Sequence, residues 1–207
     1  MTERERMLAE LPYRAFMEEL PKLHMENKVR IHEFNTCRPD DTERLDALIR
    51  SILGKTGKKI VVQQPFHADY GRNIEVGENF FANYNLCILD VAKVKIGDNV
   101  MFAPNVMITA AGHPVHPEAR NSGYEYGIGV EIGDNVWLGA NVVVNPGVHI
   151  GSNVVIGSGS VVTKDIPDWV VAAGNPCRVL RKITEEDKKY YFKKRPFDVD
   201  YRAEEGK

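Results

Sequence analysis

Residues 130–163 read VEIGDNVWLGANVVVNPGVHIGSNVVIGSGSVVT, and an aliphatic side chain returns at every sixth position: Ile132, Leu138, Val144, Ile150, Ile156 and Val162. Four residues after the first four of these anchors stand Val136, Val142, Val148 and Val154, and Ser160 follows Ile156. Gly133, Gly139, Gly151 and Gly157 come directly after an anchor. A period of six fits neither a helix at about 3.6 nor a simple strand at 2. It fits a solenoid whose coil faces are short strands joined by tight corners, with Gly and Asn in corner conformations that bulkier residues avoid. The anchors then point inward and stack coil on coil.

Working upstream, Ile96, Phe102 and Ile108 are anchors with Val100 and Val106 between them, and Val76, Ala82 and Ile88 form an earlier set with Phe80, Leu86 and Ala92. The step from Ile88 to Ile96 is eight residues, so the register slips by two, which predicts a bulged corner. Residues 110–129, AAGHPVHPEARNSGYEYGIG, break the pattern and hold Gly, Pro, His and charge. They read as a loop ejected from the coil, and a long loop on a regular scaffold is where function concentrates.

The 207 residues carry a net charge of −2, which argues against a nucleic-acid footprint. Apolar runs are too short to span a bilayer. MTERERMLAE mixes acids with bases and lacks an apolar leader core, so no secretory signal is expected. Cys37, Cys87 and Cys177 are scattered and odd in number, which predicts no disulfide framework and a cytoplasmic location.

Residues 1–57 read as a helical segment: Thr2 with Glu5 forms a capping box, and Asp40 and Asp41 cap a helix with Leu45, Leu48, Ile49, Ile52 and Leu53 on one face. The solenoid is expected over 58–182. A C-terminal helix is expected in 183–207, with Thr184 and Asp187 as its capping box and a frayed tail YRAEEGK.

The hexads, FFANYNLCILD, AAGHPVHPEAR and the VVTKDIP…AAGNPCRVLRKI ending together resemble the maltose and galactoside O-acetyltransferases among the hexapeptide acyltransferases. The resemblance covers nearly the whole chain. It implies a mainly β fold, a left-handed parallel β-helix with an N-terminal helical segment and a C-terminal capping helix. It implies homotrimers with active sites between subunits, and acetyl-CoA as co-substrate with no metal required. It makes His113 the catalytic base, and an imidazole is suited to take a proton from an attacking hydroxyl near neutral pH. His116 reads as structural or as part of the rim. Glu125, in the loop's return, is placed to orient His113 or to meet the acceptor. Asp69 and Asn83 match acceptor positions, and Asn85 joins them if that segment is extended. Asp90 followed by Val91, where some galactoside enzymes carry two acids, favours a glucosyl acceptor. Trp137 and Ala140 match positions lining the pantetheine slot, Ser158, Thr163 and Lys164 match donor contacts at the end of the coil, and Arg178 and Arg181 match its phosphate end.

Three other readings compete. A serine or xenobiotic acetyltransferase would use the same scaffold. A zinc carbonic anhydrase-like solenoid would need three converging histidines, for which the later coils offer His113, His116 and His149. A purely structural solenoid would leave the histidine loop unexplained.

Overall fold

Residues 1–201 are described by the computed structural model, and the expectation for the tail beyond them, 202–207, lies outside the described residues. Parallel ladders build a three-faced prism. The first face stacks Ile60–Val62, Phe80–Ala82, Met101–Phe102, Trp137–Leu138, Val155–Ile156 and Val170–Ala173. The second stacks Phe66–Ala68, Leu86–Leu89, Met107–Thr109, Val143–Val144 and Val161–Val162. The third stacks Ile74–Val76, Val94–Ile96, Val130–Ile132 and His149–Ile150. The chain visits the faces in that order, coil after coil.

Every hexad anchor faces the interior. Ile132, Leu138, Val144, Ile150, Ile156 and Val162 are all buried, as are the intervening valines. Each such side chain contributes about 1.5–3 kcal/mol relative to exposure, so the stacked core outweighs what any single coil could bury alone. Ser160, the one break in the valine series, is also buried; its hydroxyl bonds the Gly157 carbonyl and accepts the Gly174 N–H.

Corners between the third and first faces repeat Gly-x-Asn, with an acid in the middle at Glu78, Asp98 and Asp134 and a serine at Ser152. Asn99 and Asn135 have φ of 56° and 57°, the left-handed region that Asn tolerates. The middle residue of each corner accepts the backbone N–H of the preceding coil: Asp98 from Glu78 at 2.6 Å, Asp134 from Asp98 at 2.8 Å, Ser152 from Asp134 at 3.0 Å. A Cβ on Gly133 would lie 2.5 Å from Ser152 Oγ, so this stacking requires glycine.

Two outward faces are largely apolar and one is charged. The first presents Val61, Phe81, Met101, Trp137, Val155 and Val171 in register. The second presents His67, Cys87, Met107, Val143 and Val161. The third presents Glu75, Lys95, Glu131 and His149, with Lys95–Glu131 at 3.0 Å and His149–Glu131 at 2.9 Å.

Three helices precede the prism: α1 (Glu3–Leu8), α2 (Leu20–Thr36) and α3 (Thr42–Ile52). The Thr2–Glu5 capping box forms, and Asp41 caps α3 through the Arg44 N–H. Ile31 and Phe34 of α2, with Ile49 and Ile52 of α3, join the solenoid core and close its first coil. Asn35 fixes α2 to the coil by accepting the Phe66 N–H and donating to the Phe66 carbonyl, both at 2.8 Å.

The C-terminal expectation needs correction. Arg178–Lys182 pairs antiparallel with Val170–Ala173, and the Thr184–Asp187 capping box starts only a five-residue 3-10 turn, Glu185–Lys189. Tyr190–Phe192 then pairs antiparallel with Arg195–Pro196. An aromatic run favours extended backbone, and Pro196 removes the donor a continuing helix needs.

Candidate active site

The two-residue slip turns out to be a wide corner between the second and third faces, and it occurs twice. Ala68 leads through 69–73 to Ile74, and Leu89 leads through 90–93 to Val94, while the ladders on either side keep register. The ejected loop leaves from the next corner on this same edge. Two stacked corners of equal length are therefore followed, in the third coil, by the ejected loop.

Asp90 holds the first corner in shape. It is fully buried; Oδ1 accepts the Tyr70 N–H at 2.9 Å, Oδ2 accepts the Asn73 N–H at 3.3 Å, and its carbonyl accepts Asn73 Nδ2 at 2.7 Å. Burial pushes its carboxyl up to about 7, although the Tyr70 and Gly71 N–H groups favour the anion. Asp69 sits on that corner. Burial also raises its pKa, opposed by His24, whose Nε2 lies 3.5 Å from Asp69 Oδ1. The pair borders an open cleft of about 390 Å³ between α2 and the second face, lined also by Lys28, His32, His67 and Leu89.

In the loop, Ala111–Gly112 pairs antiparallel with Tyr126–Gly127, Gly112 opposite Tyr126. The Tyr126 ring lies so close that a Cβ on Gly112 would sit 2.5 Å from it. His113 follows Gly112 and Glu125 precedes Tyr126, so the ribbon sets the two side chains abreast. His113 Nδ1 is 3.9 Å from Glu125 Oε2, with the imidazole mostly exposed and the carboxylate mostly covered. The other carboxylate oxygen, Oε1, accepts the Tyr13 hydroxyl. Burial, then the bond to Glu125, holds the Tyr13 phenol far above its usual pKa, so it remains a donor. His116 stands just before the short helix Pro117–Asn121 and makes no side-chain cap bond.

A second group occupies a different edge. Asn83, Ala140 and Ser158 all lie at corners between the first and second faces, and Ala140 and Ser158 belong to adjacent coils, where the Ala140 carbonyl accepts the Gly159 N–H at 2.8 Å. Asn85 requires correction. Its φ of 63° turns the chain, so it is not extended beside Asn83, and its amide donates to Asn105 Oδ1 at 3.0 Å in a corner ladder. Asn83 Oδ1 accepts the Tyr84 N–H at 2.8 Å.

The remaining predicted positions are spread along the later coils. Trp137 projects from the first face between Met101 and Val155, half exposed. Thr163 and Lys164 are exposed on the loop-bearing edge. Arg178 is exposed and donates to its neighbour's carbonyl, Cys177 O, at 2.8 Å. Arg181 is already engaged: its guanidinium forks onto Asp187 at 2.7 and 2.9 Å. His149 stands on the charged third face against Glu131, and among the described residues no three His, Cys, Asp or Glu side chains gather as a metal-binding group.

Within one chain, then, His113, Glu125 and Asp69 share one edge, while Asn83, Ala140 and Ser158 share another, with the second face between them. Tyr13 and His24 belong to the site's geometry but escape the sequence reading of binding residues, and Asp90, read there for acceptor preference, is the buried anchor of the Asp69 corner. His24 and Lys28 at four-residue spacing on α2 offered a signal; Tyr13 meets a partner 112 residues away and offered none.

A six-periodic prism with a histidine-bearing loop defines the hexapeptide-repeat class of transferases, and the comparisons agree. Residues 129–164 match the bacterial transferase hexapeptide family (six repeats), and residues 6–57 match the maltose acetyltransferase hexapeptide capping motif. Galactoside O-acetyltransferase of Escherichia coli K12 is 47% identical over 97% of this chain and 96% of its own. The crystal structure of a maltose O-acetyltransferase from Clostridium difficile 630 is 54% identical, with a TM-score of 0.88 over 89% of this chain and 99% of that one. A galactoside acetyltransferase in complex with coenzyme A superposes with a TM-score of 0.93 at 47% identity, over 96% of this chain and all of that one. The chain belongs to the galactoside and maltose O-acetyltransferase family of hexapeptide-repeat acyltransferases. Among the described residues no helix is long and apolar enough to cross a membrane.

Proposed function

We propose that the protein transfers an acetyl group from acetyl-CoA to a sugar hydroxyl, a primary C6 hydroxyl of a glucose- or maltose-type acceptor, with His113 as general base. The observation that carries this reading is the pairing of an exposed imidazole with a covered carboxylate at the mouth of the loop. Nδ1 faces Glu125, which leaves Nε2 for the acceptor. Nε2 takes the hydroxyl proton as the oxygen attacks the thioester carbonyl carbon. The Ala140 backbone N–H polarises that carbonyl and stabilises the oxyanion. Collapse breaks the C–S bond, and the imidazolium returns its proton to the CoA thiolate, leaving the acetyl ester and CoA. Asp69 and Asn83 hold the sugar hydroxyls; Trp137, Ser158, Thr163, Lys164 and Arg178 line the donor. The relatives' names and the coenzyme A complex of one of them support this chemistry.

The site is completed by a second subunit in a homotrimer. Two features support this. The candidate residues divide between two edges of one prism, and the two faces flanking the Asn83 edge are the ones with outward apolar columns, while the third carries the charges. Apolar patches of that extent call for cover.

His113→Ala, assayed with acetyl-CoA and maltose or glucose, is expected to lose roughly 10²–10⁴ in kcat with acetyl-CoA binding retained. Near wild-type turnover would reject the base assignment. Screening glucose, maltose, galactosides and chloramphenicol separates a sugar enzyme from a xenobiotic one.

A further inference from the structure

We infer that Tyr13 is a positioning residue for the reaction: its buried hydroxyl and its backbone together clamp Glu125, and through Glu125 they set the orientation of the His113 imidazole. This rests on the reading of His113 as base and adds to it a part of the chain far from the loop.

The stretch after α1 runs along the returning limb of the loop and holds it at successive points. Glu10 Oε1 accepts the Gly129 N–H at 2.9 Å. Tyr13 exchanges both backbone bonds with Glu125, N–H to carbonyl at 2.9 Å and the reverse at 3.0 Å. The Arg14 guanidinium lies 4.6 Å from the centre of the Tyr124 ring. These contacts fix the backbone of the limb, and the Tyr13 hydroxyl then fixes the carboxylate itself by bonding Oε1 while Oε2 faces His113.

Tyr13 is built for this task. It is completely buried in a small cluster with Met7, Leu20 and Val91, separate from the solenoid core. The ring cannot swing, so its hydroxyl has one direction. A carboxylate with one oxygen committed to a rigid donor has one remaining oxygen to offer the imidazole, which selects the tautomer with the proton on Nδ1 and frees Nε2. Packing alone would be satisfied by phenylalanine; the hydroxyl is what reaches Glu125.

The test is Tyr13→Phe, which removes one oxygen and keeps the packing. Expected is a fall of about tenfold in kcat, the scale of one hydrogen bond to a charged group, with KM for acetyl-CoA unchanged. Without its donor, the Glu125 carboxylate presents more charge to the ring. The titration midpoint of His113 followed by NMR, and the acid limb of kcat/KM, then both move to higher pH. In a Glu125→Ala background, Tyr13→Phe should have no further effect on kcat. A wild-type kcat and pH profile for Tyr13→Phe, or an undiminished loss in the Glu125→Ala background, overturns the inference. Retained activity in His113→Ala instead overturns the parent reading, so the two failures are distinct. If Tyr13→Phe lowers the melting temperature, the NMR titration in the folded protein still decides the matter.

Discussion

Asp90 Oδ1 accepts the backbone N–H of Tyr70 at 2.9 Å, gripping from the following coil the corner that presents Asp69. A fully buried carboxyl in that place is linked to pH. In the unfolded chain an aspartate titrates near 3.9; here it is pushed up to about 7 by burial. Below about 4 both states hold the proton. Between about 4 and 7 the unfolded chain releases it while the folded protein keeps it, so stability from this group is progressively lost as pH rises. Asp90→Asn lacks that dependence, though it pays a constant penalty because its amide cannot accept the Asn73 N–H. Urea unfolding at pH 5 and pH 7 should show the wild type losing on the order of 2 kcal/mol relative to Asp90→Asn across that interval. A constant difference would mean Asp90 is ionised throughout.

The corner asparagines allow a backbone test. Asn135 has φ of 57° and donates to Asn153 Oδ1 at 3.0 Å. Asn135→Ala places a Cβ-bearing residue with no local hydrogen bond in the left-handed region and should cost about 1–2 kcal/mol, measured by denaturant midpoint. Asn135→Gly loses the amide ladder but relieves the backbone and should cost less. Equal costs would assign the role of Asn135 to its side-chain bond alone.

Period six fixes where each anchor points, so the prism and its buried Ile132–Val162 series were legible from residue spacing. The resemblance supplied His113, and the ribbon register then places Glu125 abreast of it. What escaped was whatever depends on distant pairing. Asn85 looked extended beside Asn83 because spacing carries no sign of φ, yet its neighbours on the corner ladder, Asn105 and Asn141, share its left-handed conformation. The eight-residue step at Ile88 is visible in the sequence, but that it belongs to a wide corner repeated from the coil before shows only in the matching step at Ala68. The Thr184–Asp187 capping box marks where the turn starts, but a cap does not determine how long a helix continues, and Tyr190–Phe192 ends it.

The outward columns give an assembly test. Met107 projects from the second face between Cys87 and Val143 and is partly exposed in the single chain. Met107→Glu places a charge in the column proposed to be covered by a second subunit, where an unpaired carboxylate is costly. Sedimentation should report a shift from the proposed trimer toward monomer, with loss of activity in parallel. Lys95→Glu on the charged third face should leave the assembly intact. An unchanged trimer in Met107→Glu would place the interface elsewhere.

Arg178 and Arg181 stand on the same terminal strand but differ in engagement, and this separates their roles. Arg181 forks onto Asp187, which also accepts the Thr184 N–H at 2.8 Å, so its charge is spent on the turn that closes the chain. Arg178 has no carboxylate partner among the described residues and donates only to Cys177 O. A free guanidinium is the better phosphate ligand, because no existing ion pair must open first. Arg178→Ala should raise KM for acetyl-CoA about tenfold with kcat nearly unchanged, the signature of lost ground-state binding. Arg181→Ala should change that KM little and lower stability by up to about 1 kcal/mol, as expected of an exposed pair. An equal rise in KM from both variants would mean that the Asp187 pair opens when the donor binds, making the turn part of the donor site.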